Sequence, residues 1–172
     1  FRRTYWEHIA PKDGQYFYLY DGKQLPLKAT EHVLPYKTKD GVATRKFTTY
    51  SSHHGPVVRA LDGKWVAVSL MNTPMAALMQ SFLRTKTKDY ASFSKVMELR
   101  ANSSNNTVYA DKHGTIAYFH GNFVPRRNPQ LDYKQPVDGS NKASDWQGLH
   151  TLKEIITLHN PKNGWIQNTN NW

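Results

Sequence analysis

Apolar and polar positions alternate in short runs along the first seventy residues, which predicts antiparallel strands over 14–70. Gln15-Tyr16-Phe17-Tyr18-Leu19-Tyr20 has the aromatic content that strands favour, Asp21-Gly22 offers a hairpin turn, and Gln24 to Leu27 returns. Glu31 to Lys37 continues as a short extended piece interrupted by Pro35, and Lys39-Asp40-Gly41 turns the chain into the alternating run Arg45 to Tyr50. After His53-His54-Gly55-Pro56, Val57-Val58 starts another strand, and Leu61-Asp62-Gly63 turns it into Lys64 to Leu70.

The period then changes to that of a helix. Thr73-Pro74 places a capping hydroxyl and a proline at a helix start, and Met75, Leu78, Met79, Phe82 and Leu83 fall on one face, predicted to be core. A second helix is expected from Asp89 to about Arg100, with Phe93, Val96, Met97 and Leu99 apolar. The two make a helical pair over 74–100. Thr107 to Asp111 and Thr115 to His120 flank Lys112-His113-Gly114 as a hairpin, and the remainder of 105–172 is loop-rich. Within it, Leu152 to Leu158 is expected to be helical and Trp165-Ile166-Gln167 a brief strand. No repeat or linker is visible, so 1–172 is taken as a single partial domain of α+β class.

Composition narrows the function classes. The chain of 172 residues has no Cys, which excludes a thiol nucleophile, a disulfide framework and Cys-based metal sites. Its 23 Lys+Arg against 13 Asp+Glu give a formal charge of +10, but the basic residues are scattered singly or in pairs, as on a solvated surface rather than a nucleic-acid-binding face. No apolar run approaches the ~20 residues that span a bilayer, so no membrane partner is expected. Phe1-Arg2-Arg3-Thr4 has neither an initiator Met nor a signal-peptide core, and the sequence reads as a segment of something longer.

Isolated motifs reveal little chemistry. His53 and His54 are adjacent, and neighbours on an extended segment point to opposite faces, so a shared ion is not expected there. His54 is read instead as a buried, hydrogen-bonded imidazole before a tight Gly-Pro turn. No G-x-S-x-G elbow and no Gly-rich phosphate loop is present. The informative stretch is the Asn-rich end, where turns can aim carboxamides at one point; an amide N–H is a good donor to a developing oxyanion, although Asn168, Asn170 and Asn171 could equally cap a turn.

Several blocks in order resemble the penicillin acylase family, acyl-homoserine-lactone acylases included. They are Gly14-Gln15-Tyr16 with Asp21-Gly22-Lys23, His53-His54-Gly55-Pro56-Val57-Val58 and Tyr109-Ala110-Asp111 through Tyr118. Pro136-Val137-Asp138-Gly139 follows, then Asp145-Trp146-Gln147-Gly148 with Glu154, and Asn160-Pro161-Lys162-Asn163-Gly164-Trp165-Ile166-Gln167-Asn168-Thr169-Asn170-Asn171.

The resemblance implies part of an N-terminal-nucleophile (Ntn) hydrolase αββα sandwich, with antiparallel strands and a central helical pair. It implies hydrolysis of a small acylated amide, either a β-lactam side-chain amide or an N-acyl-homoserine lactone. The nucleophile would be an N-terminal Ser freed by self-cleavage and lying outside this chain, so the segment alone should be inactive. Residue by residue, Asn170 matches the oxyanion-hole side chain and Asn105 an acyl-pocket position that is apolar in some relatives. The main-chain carbonyl of Tyr133 falls near a ligand of a structural calcium; no cofactor is implied for catalysis. The partners would be the remaining α- and β-chain segments of the parent, in a periplasmic or secreted setting. A non-catalytic scaffold of the same fold is the alternative, and a basic nucleic-acid binder a more distant one.

Overall fold

The computed structural model describes residues 2–61, 63–102 and 105–169. In chain order its strands are β1 (Arg2–Glu7), β2 (Ile9–Lys12), β3 (Gln15–Tyr20), β4 (Lys23–Pro26), β5 (Lys28–Thr38), β6 (Gly41–Ser52), β7 (Gly55–Leu61) and β8 (Lys64–Leu70). Helices α1 (Pro74–Arg84) and α2 (Tyr90–Met97) follow, then β9 (Thr107–Ala110), β10 (Ile116–Phe119), β11 (Val137–Asp138), a single 3₁₀ turn (Lys142–Ser144) and β12 (Thr157–His159). Strand dominates, and the helical pair stands where the sequence predicts it. The chain divides into two compact units without any linker: Arg2–Leu70 with Asn128–Asp145, and Met71–Arg127 with the chain from Trp146 onward.

The first unit is all β. Its larger sheet has the order β11-β1-β8-β7-β6-β5, antiparallel except where β11 runs parallel to β1, and β2-β3-β4 form a separate meander. The turns obey local stereochemistry: Asp13-Gly14 and Asp21-Gly22 all take positive φ, as two-residue hairpin turns require. β5 is longer than expected. It runs through Pro35, which pairs with Thr44, because β5 ends the sheet and an edge strand tolerates a missing N–H. Tyr5, Ala67 and Val137 form the buried centre, with Leu131 and Tyr133 packed against it.

The second unit sets α2 on the sheet β12-β10-β9, burying Phe93 and Met97 of the helix against Ala117, Phe119 and Leu152. The Asp89 side chain caps α2 by accepting from the Ser92 backbone N–H. Leu152 to Leu158 is not helical. A turn closes at Glu154, whose carboxylate accepts from Thr151 N–H, and Thr157–His159 then pairs with β10. Strand pairing therefore overrides the weak helical pattern, and β12 is flanked by His120 N–H to the Ile156 carbonyl and Asn160 N–H to the Ile116 carbonyl. Trp165-Ile166-Gln167 is irregular rather than a strand, following a turn closed by Gly164 N–H on the Pro161 carbonyl.

Helix α1 inverts the expected burial. Met75, Leu78, Met79 and Phe82 are each more than half exposed, whereas Gln80 is buried. The Gln80 carboxamide donates to Asn122 Oδ1 (2.6 Å) and accepts from Ala101 N–H (2.7 Å), while Asn122 Nδ2 donates to the Met97 carbonyl (2.9 Å). Two neutral amides thus satisfy backbone groups beyond the end of α2 and tie α1 to it. Thr73 precedes α1 without a side-chain capping bond. Replacing Gln80 by Leu, which fits the apolar pattern better, should destabilise the protein by about 1–3 kcal/mol for each polar group left unpaired. Urea unfolding followed by Trp fluorescence measures it.

Candidate functional site

In the second unit, two Asn-rich segments converge beside the β9–β10 hairpin. The hairpin turn is held by Asp111, whose Oδ1 accepts from His113 N–H (2.9 Å) and Thr115 N–H (3.1 Å). Burial, together with the hydrogen bond to Asp111, pushes the Tyr109 phenol up to about 12. Asn160, at φ 45°, extends the β12 edge by accepting from Ile116 N–H through its side chain (2.9 Å). Beyond it, Asn106 uses both ends of its carboxamide, accepting from Gly121 N–H (3.0 Å) and donating to Asn168 Oδ1 (2.9 Å). That bond joins the chain next to Asn105 to the last Asn-rich block. Asn105 itself is exposed, and its carbonyl accepts from Asn102 Nδ2 (3.4 Å). Asn170 lies outside the described residues. An open depression of about 650 Å³ runs along the same block, lined by Leu158, Pro161, Trp165, Ile166 and Thr169 among others.

In the first unit the geometry corrects the reading of His53 and His54. They are not on an extended segment but form the two-residue turn between β6 and β7, where Ser52 pairs with Gly55. A turn does not send neighbouring side chains to opposite faces, and the two rings lie 3.8 Å apart. His54 is buried as expected: it stacks on Tyr5 at 3.8 Å, with Nδ1 2.8 Å from Glu7 Oε1 and Nε2 3.0 Å from Asp145 Oδ1. Ser52 Oγ also donates to Glu7 Oε1 (2.5 Å), and Tyr20 donates its hydroxyl to Asp145 Oδ2 (2.6 Å). The Asp145 carboxylate, by accepting that proton, pushes the Tyr20 phenol up to about 12. His53 Nδ1 lies 2.9 Å from the Tyr18 hydroxyl. Burial, then the adjacent His54, hold the His53 imidazole below its ordinary value.

Tyr133 is partly buried, with the Arg3 guanidinium 3.8 Å over its ring and Arg3 Nη1 donating to its carbonyl at 3.4 Å. As it stands, this carbonyl is the acceptor of a cation already present in the chain.

The penicillin amidase family model matches residues 2–172. The chain belongs to the penicillin amidase family. It is similar to penicillin G acylase from Escherichia coli, with 30% identity over 94% of this chain and 19% of the relative. The chain thus spans about a fifth of that relative's length. Its fold matches that of a thermostable penicillin G acylase from Alcaligenes faecalis with a TM-score of 0.85 and 23% identity, over 99% of this chain and 31% of that one.

Several residues escaped the sequence reading. Asn106 neighbours the predicted Asn105 but makes the bond to Asn168, while Glu7, Tyr18 and Tyr20 carry no motif that distinguishes them from ordinary strand residues. Glu154, the acid of the fifth block, has a structural position: Arg126 Nη2 donates to both its oxygens (2.8 and 2.7 Å), and Thr151 supplies N–H and hydroxyl donors (2.8 and 2.9 Å). The Thr151 backbone and hydroxyl, followed by Arg126, lower its carboxyl to about 2. A depressed carboxyl contributes stability that is complete above its unfolded value and is lost as pH falls through the folded one. The stability advantage of the native protein over Glu154→Gln should therefore hold at neutral pH and shrink between about pH 4.5 and 2, as denaturant titrations across that range would measure.

Proposed function

We propose that this chain is an internal segment of the β-chain of an N-acyl amide hydrolase of the penicillin amidase type. The match of the family model over residues 2–172 is the observation that carries this reading. In the full enzyme the segment would form part of an αββα sandwich, completed by the other α- and β-chain segments after self-cleavage, in a periplasmic or secreted setting. Its substrate would be a small acylated amide, either a β-lactam side-chain amide or an N-acyl-homoserine lactone.

The chemistry follows from the residue types. An N-terminal Ser supplied from outside this chain attacks the amide carbonyl through its hydroxyl oxygen. Its own α-amine, whose ordinary pKa of about 7.7–8.0 suits neutral pH, accepts the proton and passes it to the leaving amine as the C–N bond breaks. Water then repeats the attack on the acyl ester and releases the acid. Each tetrahedral intermediate carries a negative oxygen, and the Asn170 carboxamide N–H is the donor assigned to it. The Asn106–Asn168 bond supports this assignment, because it anchors the chain two residues before Asn170 and next to Asn105, the acyl-pocket position. A donor held in place costs no reorganisation when the oxyanion forms, and that is the source of its catalytic value. An exposed Asn at position 105 would make the acyl pocket more polar than an aliphatic residue does.

Asn170→Ala in the full-length enzyme should leave maturation into separate chains intact and lower kcat by about 10²–10³-fold. Denaturing gels and single-turnover kinetics with a chromogenic N-acyl amide read the two effects. Normal turnover in that variant removes the oxyanion role, and the lack of a self-cleaving Ser, Thr or Cys upstream of Phe1 favours a non-catalytic scaffold.

A further inference from the structure

We propose that His53, His54 and Asp145 form a binding site for a divalent transition-metal ion of the zinc class. The three side chains come from the β6–β7 turn and from the residue that ends the 3₁₀ turn, all within the first unit. One donor atom from each lies within 4.8 Å of the others. Asp145 Oδ1 is 3.0 Å from His54 Nε2 and 3.8 Å from His53 Nε2. Two bonds of about 2.0–2.1 Å meeting at a tetrahedral angle hold their donor atoms roughly 3.3 Å apart, and the two separations from Asp145 Oδ1 fall on either side of that.

Each of the three ligands also has the outer partner that metal sites use to fix a ligand's orientation. Glu7 Oε1 stands 2.8 Å from His54 Nδ1, the Tyr18 hydroxyl 2.9 Å from His53 Nδ1, and the Tyr20 hydroxyl 2.6 Å from Asp145 Oδ2. With Nδ1–H of His54 donated to Glu7, its Nε2 lone pair faces the Asp145 oxygen, and two lone pairs at that range repel unless a positive centre lies between them. A proton on Nε2 would serve that pair alone. It would leave His53 Nε2 at 3.8 Å, beyond hydrogen-bond reach of the shared oxygen. An ion among the three serves all of them.

Charge and access agree with this. Glu7 and Asp145 bring two negative charges, and among the described residues their ion-pair partners are the histidines alone, so a divalent cation balances the group. The side chains of His53 and Asp145 are 35% and 27% exposed against 3% for His54, which gives the ion an entry side and a remaining position open to water. Two imidazoles and one carboxylate select zinc, cobalt, nickel or copper over calcium or magnesium.

Co²⁺ titration of the intact chelator-treated protein tests the site through the visible absorption of the protein-bound ion. The expected result is saturable binding that Zn²⁺ displaces and excess Ca²⁺ does not. His53→Gln, at a partly exposed turn position whose change should leave the far-UV circular dichroism unaltered, should bind one equivalent less or bind it at least tenfold more weakly. Tyr20→Phe should weaken the same equivalent by about 10–100-fold, the usual effect of losing an outer partner. The proposal is overturned by the absence of saturable binding, by equal binding in native protein and folded His53→Gln, or by displacement with Ca²⁺.

Discussion

A buried imidazole held between two carboxylates organises the β unit. His54 touches Glu7 at the end of β1 and Asp145 far along the chain, while its ring lies flat on Tyr5. Burying such groups is expensive unless they are paired, so the burial of each segment depends on the other two. The backbone is cleared for this approach. A Cβ on Gly55, which sits at φ 133°, would collide with the Val68 carbonyl, and one on Gly139 would come within 2.9 Å of Glu7 Oε2. The glycine of the His-Gly-Pro block is therefore fixed by the tightness of the β7–β8 approach, and Gly139 by contact with β1.

Local chemistry was legible wherever a turn or cap decides the structure by itself. Asp21-Gly22, Lys39-Asp40-Gly41 and the Lys112-His113-Gly114 hairpin all turn the chain where their residue types say they should, and Asp89 starts α2. The buried state of His54 was legible too, since an imidazole before a Gly-Pro step has few alternatives. Facing of side chains was not. Treating His53-His54 as extended puts the rings on opposite sides, and only the pairing of Ser52 with Gly55 reveals that they occupy the turn itself. One residue of register separates two histidines pointing apart from two rings in contact.

The helical unit shows a related limit. Amphipathic spacing identified α1 but not the side by which it is held, because the fixing contacts are amides rather than apolar groups. A carboxamide offers a donor and an acceptor without charge, so one Gln or Asn can satisfy two backbone or side-chain groups at little desolvation cost once paired. Gln80 and Asn122 do this below α1, and Asn106 does it between Gly121 and Asn168. Hydropathy counts all of them as surface residues. Strand pairing at Thr157–His159 was hidden for another reason: its partner β10 lies some forty residues away, and no local pattern encodes that.

The same pairing of polar groups extends to the carboxylates. Several of the acids hold local structure. Asp89 caps a helix, Asp111 holds a hairpin turn, and Asp138 accepts from Ser140 through backbone and side chain. Glu7 and Asp145 bracket His54, and Glu154 collects Arg126 and Thr151. The 23 Lys and Arg that outnumber the 13 acids are scattered along the sequence, singly or in pairs. Each such carboxylate keeps its negative charge while it accepts, so these charge-assisted bonds fix where the acids sit and leave the formal balance of the chain unchanged.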